Sequence, residues 1–223
     1  TRVDAQVQEL MKKLMDVDFG NPSSRHQKGV VAEGYIKEAR QKIAATLKVD
    51  PKEFIITSGG TESNNMALIG TALAAKRKGN HIITTAVEHP SVKATASFLE
   101  EQGFRITFLS VDSRGQISLE DLKEALTPDT ILVSIMYVNN EIGTIQPVEE
   151  AAKLVHATVP GAVFHVDAIQ AYGKVMIRPK QQGIDLLSVS SHKFHGPKGA
   201  GFLYCSSKVN LHPIIFGGGQ QSG

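Results

Sequence analysis

Two kinds of segment alternate along the chain. Short runs of apolar and β-branched residues recur at Phe54-Ile55-Ile56-Thr57, His81-Ile82-Ile83-Thr84-Thr85, Arg105-Ile106-Thr107-Phe108-Leu109 and Ile131-Leu132-Val133-Ser134-Ile135. Val163-Phe164-His165-Val166-Asp167, Leu186-Leu187-Ser188-Val189 and Gly201-Phe202-Leu203-Tyr204 continue the series. Between most of them apolar residues return at helical spacing, as at Ile36, Ala39, Ile43 and Leu47, and again over 62–78, 91–102, 119–126 and 148–158. Helix starts are marked by Ser118, with Asp121 three residues on, and by Pro147, which suits a first helical turn. Nearly unbroken apolar strands alternating with amphipathic helices predict an α/β fold with a covered, mainly parallel sheet. No repeat, low-complexity tract or internal linker interrupts the pattern, so residues 1–223 read as one domain.

Composition narrows the function classes. A hydrophobic fraction of 41% and a charged fraction of 21% are ordinary for a soluble globular chain, and 223 residues suffice for a real core. A net charge of +2 gives no field that points to nucleic acid or a membrane surface. The densest basic cluster, Lys76-Arg77-Lys78, reads as the solvated end of a helix. The lone cysteine, Cys205, rules out a disulfide within the chain and suits a reducing compartment, the cytoplasm. No apolar run is long enough to span a bilayer and no signal peptide opens the chain. The missing initiator methionine and the glycine-rich stretch 217–223 make both ends read as cut edges of a longer protein.

In open α/β sheets ligands bind beyond the carboxyl ends of the strands. Polar residues gather there: Ser58-Gly59-Gly60-Thr61-Glu62, Glu88-His89, Asn139-Asn140-Glu141, Asp167, and Ser190-Ser191-His192-Lys193. A partly desolvated lysine amine forms a Schiff base with an aldehyde cofactor. Alone, Lys193 reads as a surface lysine by a turn. Asp167 changes the balance. A charge closing an apolar strand is costly unless paired, and pyridoxal phosphate (PLP) needs a carboxylate to keep its ring nitrogen protonated. On local grounds Asp167 is equally a strand-end turn residue. Gln170 could reach a phenolic oxygen from the same loop or be a solvated helix-start residue. Gly59-Gly60-Thr61, between a strand and a helix, suits a phosphate but lacks the Walker pattern and is equally a tight turn. Ser190 and His192 could add donors to that phosphate, and His89, before Pro90, offers a face for stacking or is a turn residue. A metal site built from His165, Asp167, His192 and His195 competes, but zinc-type spacing is absent.

Six blocks, in this order, resemble the class V aminotransferase-like branch of fold type I PLP enzymes, and the cysteine desulfurases within it most of all. They are Gly20-Asn21-Pro22-Ser23-Ser24, residues 57–65 from Thr57 to Asn65, Glu88-His89, Val138-Asn139-Asn140-Glu141-Ile142-Gly143, His165-Val166-Asp167-Ala168-Ile169-Gln170, and the stretch 190–199 around Lys193. The resemblance implies a fold type I large domain with a mainly parallel, mixed, seven-stranded sheet covered by helices on both faces. It implies that Lys193 carries PLP as a Schiff base and shuttles a proton. Asp167 then pairs with the pyridinium nitrogen, Gln170 bonds the phenolic oxygen, and His89 stacks on the ring and acts in proton transfer. Gly60, Thr61, Ser190 and His192 hold the phosphate, and Asn140 lies beside the cofactor oxygen and the substrate carboxylate. The implied reaction takes L-cysteine to L-alanine and an enzyme persulfide, in a homodimer that hands sulfur to an acceptor or iron–sulfur scaffold protein for cluster assembly or thiolation.

The family's nucleophilic cysteine on a mobile loop, its carboxylate-binding arginine, its small C-terminal domain and the phosphate contact lent across its dimer are all expected beyond residue 223. Cys205, on a predicted strand, reads as a small buried hydrophobe and no substitute nucleophile. A selenocysteine lyase shares nearly all these blocks. Another class V enzyme and a PLP-binding module without turnover are the further readings.

Overall fold

The structure, a computed structural model, describes residues 1–217. Of the glycine-rich C-terminal stretch, 218–223 lies outside the described residues. The strand runs form β1 (Phe54–Thr57), β2 (His81–Thr85), β3 (Arg105–Leu109), β4 (Thr130–Met136), β5 (Val163–Asp167), β6 (Leu186–Ser190) and β7 (Gly201–Cys205). They make one seven-stranded sheet in the order β1-β7-β6-β5-β4-β2-β3. Only β7 runs against its neighbours, pairing antiparallel with both β1 and β6.

The helical stretches become α2 (Gln27–Leu47), α3 (Gly60–Ala75), α4 (Pro90–Glu101), α5 (Leu119–Ala125) and α6 (Val148–Thr158). Ser118 caps α5 by accepting from the Asp121 amide, the bond the sequence predicts. Pro147 is the N-cap of α6, one residue outside the turn it was expected to open. Lys76, Arg77 and Lys78 are exposed just past the end of α3. Two helices have no counterpart in the sequence reading. They are α1 (Ala5–Asp16), which buries no residue, and the four-residue α7 (Pro179–Gln182).

Burial of both sheet faces explains the unbroken apolar strands. Successive strand residues point to opposite sides, so Ile82, Leu132, Leu186 and Leu203 pack with Ala67, Leu68, Val92 and Leu99 of α3 and α4. Their neighbours Ile83, Val133, Leu187 and Tyr204 pack with Leu47, Leu122, Ala151 and Val155 of α2, α5 and α6. One buried polar row interrupts this. His165 Nδ1 lies 2.8 Å from Ser134 Oγ and Nε2 2.9 Å from Ser188 Oγ, which ties β5 to β4 and β6. Burial alone pushes the His165 pKa down to about 3, so the ring stays neutral.

Past β7 the chain doubles back along α3. The His212 amide bonds the Gly70 carbonyl at 3.0 Å, and a Cβ at Gly70 would stand 3.0 Å from the His212 oxygen and 3.4 Å from Leu211 Cδ2. Strand order sets where a crevice opens. From β3 the chain returns to the far side of β2 to lay down β4, so the connections leaving β2 and β4 diverge in opposite directions at their carboxyl ends.

Phe164 is fully buried at the centre of the sheet. Phe164→Ala should cost about 3–5 kcal/mol by urea unfolding, as a lower midpoint at unchanged slope. A loss below about 1 kcal/mol would contradict this account of the core.

Candidate active site

A cavity of about 230 Å³ opens at that crevice. All nine sequence-predicted site residues line it. Gly60 and Thr61 come from the start of α3, His89 from the β2–α4 loop, Asn140 from the turn after β4, and Asp167 from the end of β5 with Gln170 just beyond. Ser190, His192 and Lys193 come from the end of β6. Met136 and Ile169 complete the wall and were not predicted.

The α3 end of the cavity is built from backbone. Gly59 sits at φ +149°, a conformation side chains rarely adopt, and no side chain caps the helix. A Cβ at Gly60 would come within 2.0 Å of Ile169 Cδ1, so any side chain there would push into the cavity wall. The first-turn amides and the positive end of a 16-residue helix therefore face the hollow. A second hollow of about 300 Å³ adjoins it and shares Gly60, Thr61, Ser190 and His192. Glu62 and Lys198 also line this hollow. Ser190 Oγ lies 2.8 Å from His192 Nδ1, and burial followed by the Lys193 charge lowers the His192 pKa and favours its neutral form.

Asp167 is 4% exposed. Oδ1 accepts from the Ile169 amide at 3.0 Å and Oδ2 from Asn64 Nδ2 at 2.8 Å. Burial raises its pKa, only partly offset by these two bonds and by His89, and no described lysine or arginine pairs with it. A buried carboxylate without a cation, facing a cavity that ends on a helix N-terminus, fits a ligand with a protonated ring nitrogen and an anionic group. PLP has both.

Lys193 ends a 3-10 turn, Ser191–Lys193, directly after β6. Ser191 holds the turn from below. Its hydroxyl donates to the Pro197 and Ala200 carbonyls, and its own carbonyl accepts from the Phe194 and Gly196 amides. Asn140 is exposed on a turn fixed by its buried neighbour Asn139. Asn139 Oδ1 accepts from the Glu141 and Ile142 amides at 2.9 and 3.0 Å, and Nδ2 donates to the Val87 carbonyl at 3.0 Å. Gln170 lies near Lys174, whose Nζ bonds its carbonyl at 3.1 Å.

The roles of several supporting residues escaped the sequence reading. Glu88 Oε1 accepts from Thr85 Oγ1 and from the Met136 amide, both at 2.8 Å, and so ties the end of β2 to the end of β4. Oε2 is buried without a partner. Burial, reinforced by the Asp167 charge, pushes Glu88 up to about 8. Asn64 and Ser91 join Asp167 to His89. An asparagine inside a buried helix face was the one available signal for Asn64.

The residues of the competing metal set stand otherwise. Both His165 nitrogens are taken by serines, and His195 Nδ1 lies 3.1 Å from the Arg2 carbonyl. Cys205 pairs with Leu186 at the start of β6, whereas Gly201 pairs with Ser190 at the cavity. The thiol is therefore about 13 Å of strand away, on the opposite sheet edge. Burial, then Glu53 and Asp185, raises its pKa to about 11.

A seven-stranded mixed sheet with these residues at its switch point defines a class of protein, and the sequence comparison names it. The aminotransferase class-V family matches residues 1–222, and the chain belongs to that PLP-dependent family. Among relatives, the putative cysteine desulfurase IscS 1 of Bacillus subtilis is 51% identical over 98% of the chain and 57% of its own length. Cysteine desulfurase IscS of Dictyoglomus turgidum is 49% identical over 100% of the chain and 56% of its own length. The chain thus spans about half the length of the curated relatives it matches. Among solved structures, a NifS-like protein superposes with a TM-score of 0.98 at 43% identity, over 100% of this chain and 61% of that one. SspA in complex with cysteine gives 0.95 at 41%, over 99% and 64%.

The Glu88 carboxyl carries a pH signature. Its folded pKa of about 8 lies above the ordinary 4.5, so the folded chain binds that proton more tightly between these values. Its contribution to stability is complete below about 4.5 and is lost as pH rises through about 8. Glu88→Gln, which mimics the neutral acid, should flatten that slope in urea midpoints measured across the interval. An unchanged slope would show that Glu88 is ionised in the fold.

Proposed function

We propose that this chain is the cofactor-binding part of a cysteine desulfurase. In this reading PLP is held by Lys193 and sulfur is removed from L-cysteine to leave L-alanine. The supporting observation is the meeting of an uncompensated buried carboxylate, a helix N-terminus and a lysine around one cavity.

Each group has a task in this reading. Asp167 holds a ring nitrogen in its protonated form. The α3 N-terminus with Thr61, Ser190 and His192 takes the phosphate, and Gln170 the phenolic oxygen. His89, on the cavity wall, would stack on the ring, and Asn140 would orient the substrate carboxylate. Bound PLP supplies an electron sink for the pair left at the substrate Cα. Lys193 would hold PLP through its Nζ, and the same amine would move the proton at the substrate Cα. The apolar wall of Met136 and Ile169 limits water at that carbon.

Sulfur transfer needs a thiolate that attacks the substrate sulfur and takes it as a persulfide. Cys205 does not serve, because its thiol is raised to about 11 and stands at the opposite edge. The acceptor thiol therefore comes from elsewhere in a whole enzyme that works as a cytoplasmic homodimer and passes sulfur to an acceptor or iron–sulfur scaffold protein.

Loading the protein with PLP should produce a visible absorption band that Lys193→Ala abolishes. Asp167→Ala should weaken cofactor binding by about 2–5 kcal/mol, the cost of removing one partner of a buried charged pair. A folded protein that stays colourless with PLP would overturn the cofactor assignment. The 223-residue chain by itself should form no persulfide on incubation with L-cysteine, and robust persulfide on Cys205 would sink the reading of that residue.

A further inference from the structure

Four side chains make one hydrogen-bonded line across the cavity wall. The Ser91 amide donates to His89 Nδ1 at 3.1 Å, and Ser91 Oγ lies 2.8 Å from the same nitrogen. Asn64 Nδ2 donates to Ser91 Oγ at 2.9 Å and to Asp167 Oδ2 at 2.8 Å. Asn64 is fully buried and Ser91 is 9% exposed.

With Asp167 ionised, one proton order satisfies this line. A backbone amide can only donate, so His89 Nδ1 carries a lone pair. The Ser91 hydroxyl then has to donate to Nδ1 as well, which leaves its oxygen free to accept from Asn64. Both amide hydrogens of Asn64 are used, one on Ser91 and one on Asp167, while its buried Oδ1 has no partner. Turning the amide over would set Oδ1 against the Asp167 carboxylate, two acceptors face to face. Asp167 is thereby held as an acceptor, the state that complements a protonated ring nitrogen. With Nδ1 occupied twice as an acceptor, the hydrogen of the neutral imidazole sits on Nε2.

We propose that the Ser91 amide holds His89 in its Nε2–H form, that the Ser91 hydroxyl and through it Asn64 act as positioning residues reinforcing that state, and that Asn64 holds Asp167 in its acceptor form, so that the proton His89 brings to the reaction is one it gives rather than one it first removes. The inference rests on the cofactor site proposed above and sharpens the part of His89 within it. It also predicts coupling at a distance. Asn64 makes no hydrogen bond to His89, yet its removal should change the histidine, because the Ser91 hydroxyl then loses the donor that fixes its direction.

Nitrogen-15 NMR of the histidine-labelled protein, with the rings neutral and without PLP, tests this directly. The wild-type His89, assigned through His89→Gln, should show a pyrrole-like Nε2 and a pyridine-like Nδ1. In Ser91→Ala, where the amide bond stays and the hydroxyl bond is lost, Nε2 should stay pyrrole-like while the Nδ1 signal moves further downfield, Asn64→Ala should move it the same way, and Ser91→Thr should restore the wild-type pair. A wild-type ring protonated at Nδ1 would overturn the proposal, and this measurement needs no variant of Asn64 or Ser91 to fold. Folded Ser91→Ala and Asn64→Ala proteins with unchanged shifts would overturn it too. Repeating the measurement with added PLP separates the two readings. Absent cofactor binding with the tautomer order intact removes the cofactor assignment and leaves the relay, and binding with an Nδ1-protonated ring does the reverse.

Discussion

Asp167 sets a carboxylate where almost no water reaches, and the two donors that meet it there are both neutral. Such a group is tolerable only if its surroundings are rigid and a compensating charge has somewhere to stand. Much of the local structure meets the first condition. The Asp167 carbonyl accepts from the Tyr137 amide just past β4, its neighbour Ala168 bonds the Ser188 carbonyl in β6, and Asn64 ties it to α3. The cavity in front of it meets the second. The end of β5, through main-chain bonds to either side and the carboxylate bond to Asn64, thereby joins three strands and a helix, and the same registration brings Lys193, His89 and the start of α3 to a common edge.

The two-faced core makes that registration durable. With α3 and α4 on one side and α2, α5 and α6 on the other, the strands cannot slip by one residue without turning each apolar side chain to the wrong layer. Glu88 adds a cross-tie where packing alone would leave the β2 and β4 loops free, and it does so as a neutral acid. The hydrogen bonds that place the polar edge groups are thus themselves placed by apolar burial.

Strands were legible in the sequence because fully covered strands leave continuous apolar runs. β4, β6 and β7 were each found short only by a terminal residue or two, where Thr130, Ser190 and Cys205 blur the pattern. α1 does carry an apolar stripe at helical spacing, Val7, Leu10, Met11 and Leu14, which the sequence reading passed over and which buries no residue in the fold. Residues that touch the cavity could be found from their place after strands and from the order of the six blocks. The residues that hold those in place could not. Asn64 and Ser91 sit 27 positions apart, and Asn64 lies 103 from Asp167, so their partnership exists only after folding. Glu88 stood in plain view beside His89, but its task depends on a backbone amide 48 residues away.

Gly70 carries a consequence out of proportion to its size. By omitting a side chain on the outward face of α3 it leaves a shallow track, and the segment around Leu211 and His212 lies in that track, held by a main-chain bond. Since β7 delivers the chain to the edge remote from Lys193, this track governs its heading afterwards and turns it back along the helix whose other end faces the cavity. A methyl group at position 70 would meet the His212 carbonyl at 3.0 Å and crowd that path. The itinerary of the polypeptide after the sheet is complete is therefore written on the helix, at a position where the helix has nothing to display.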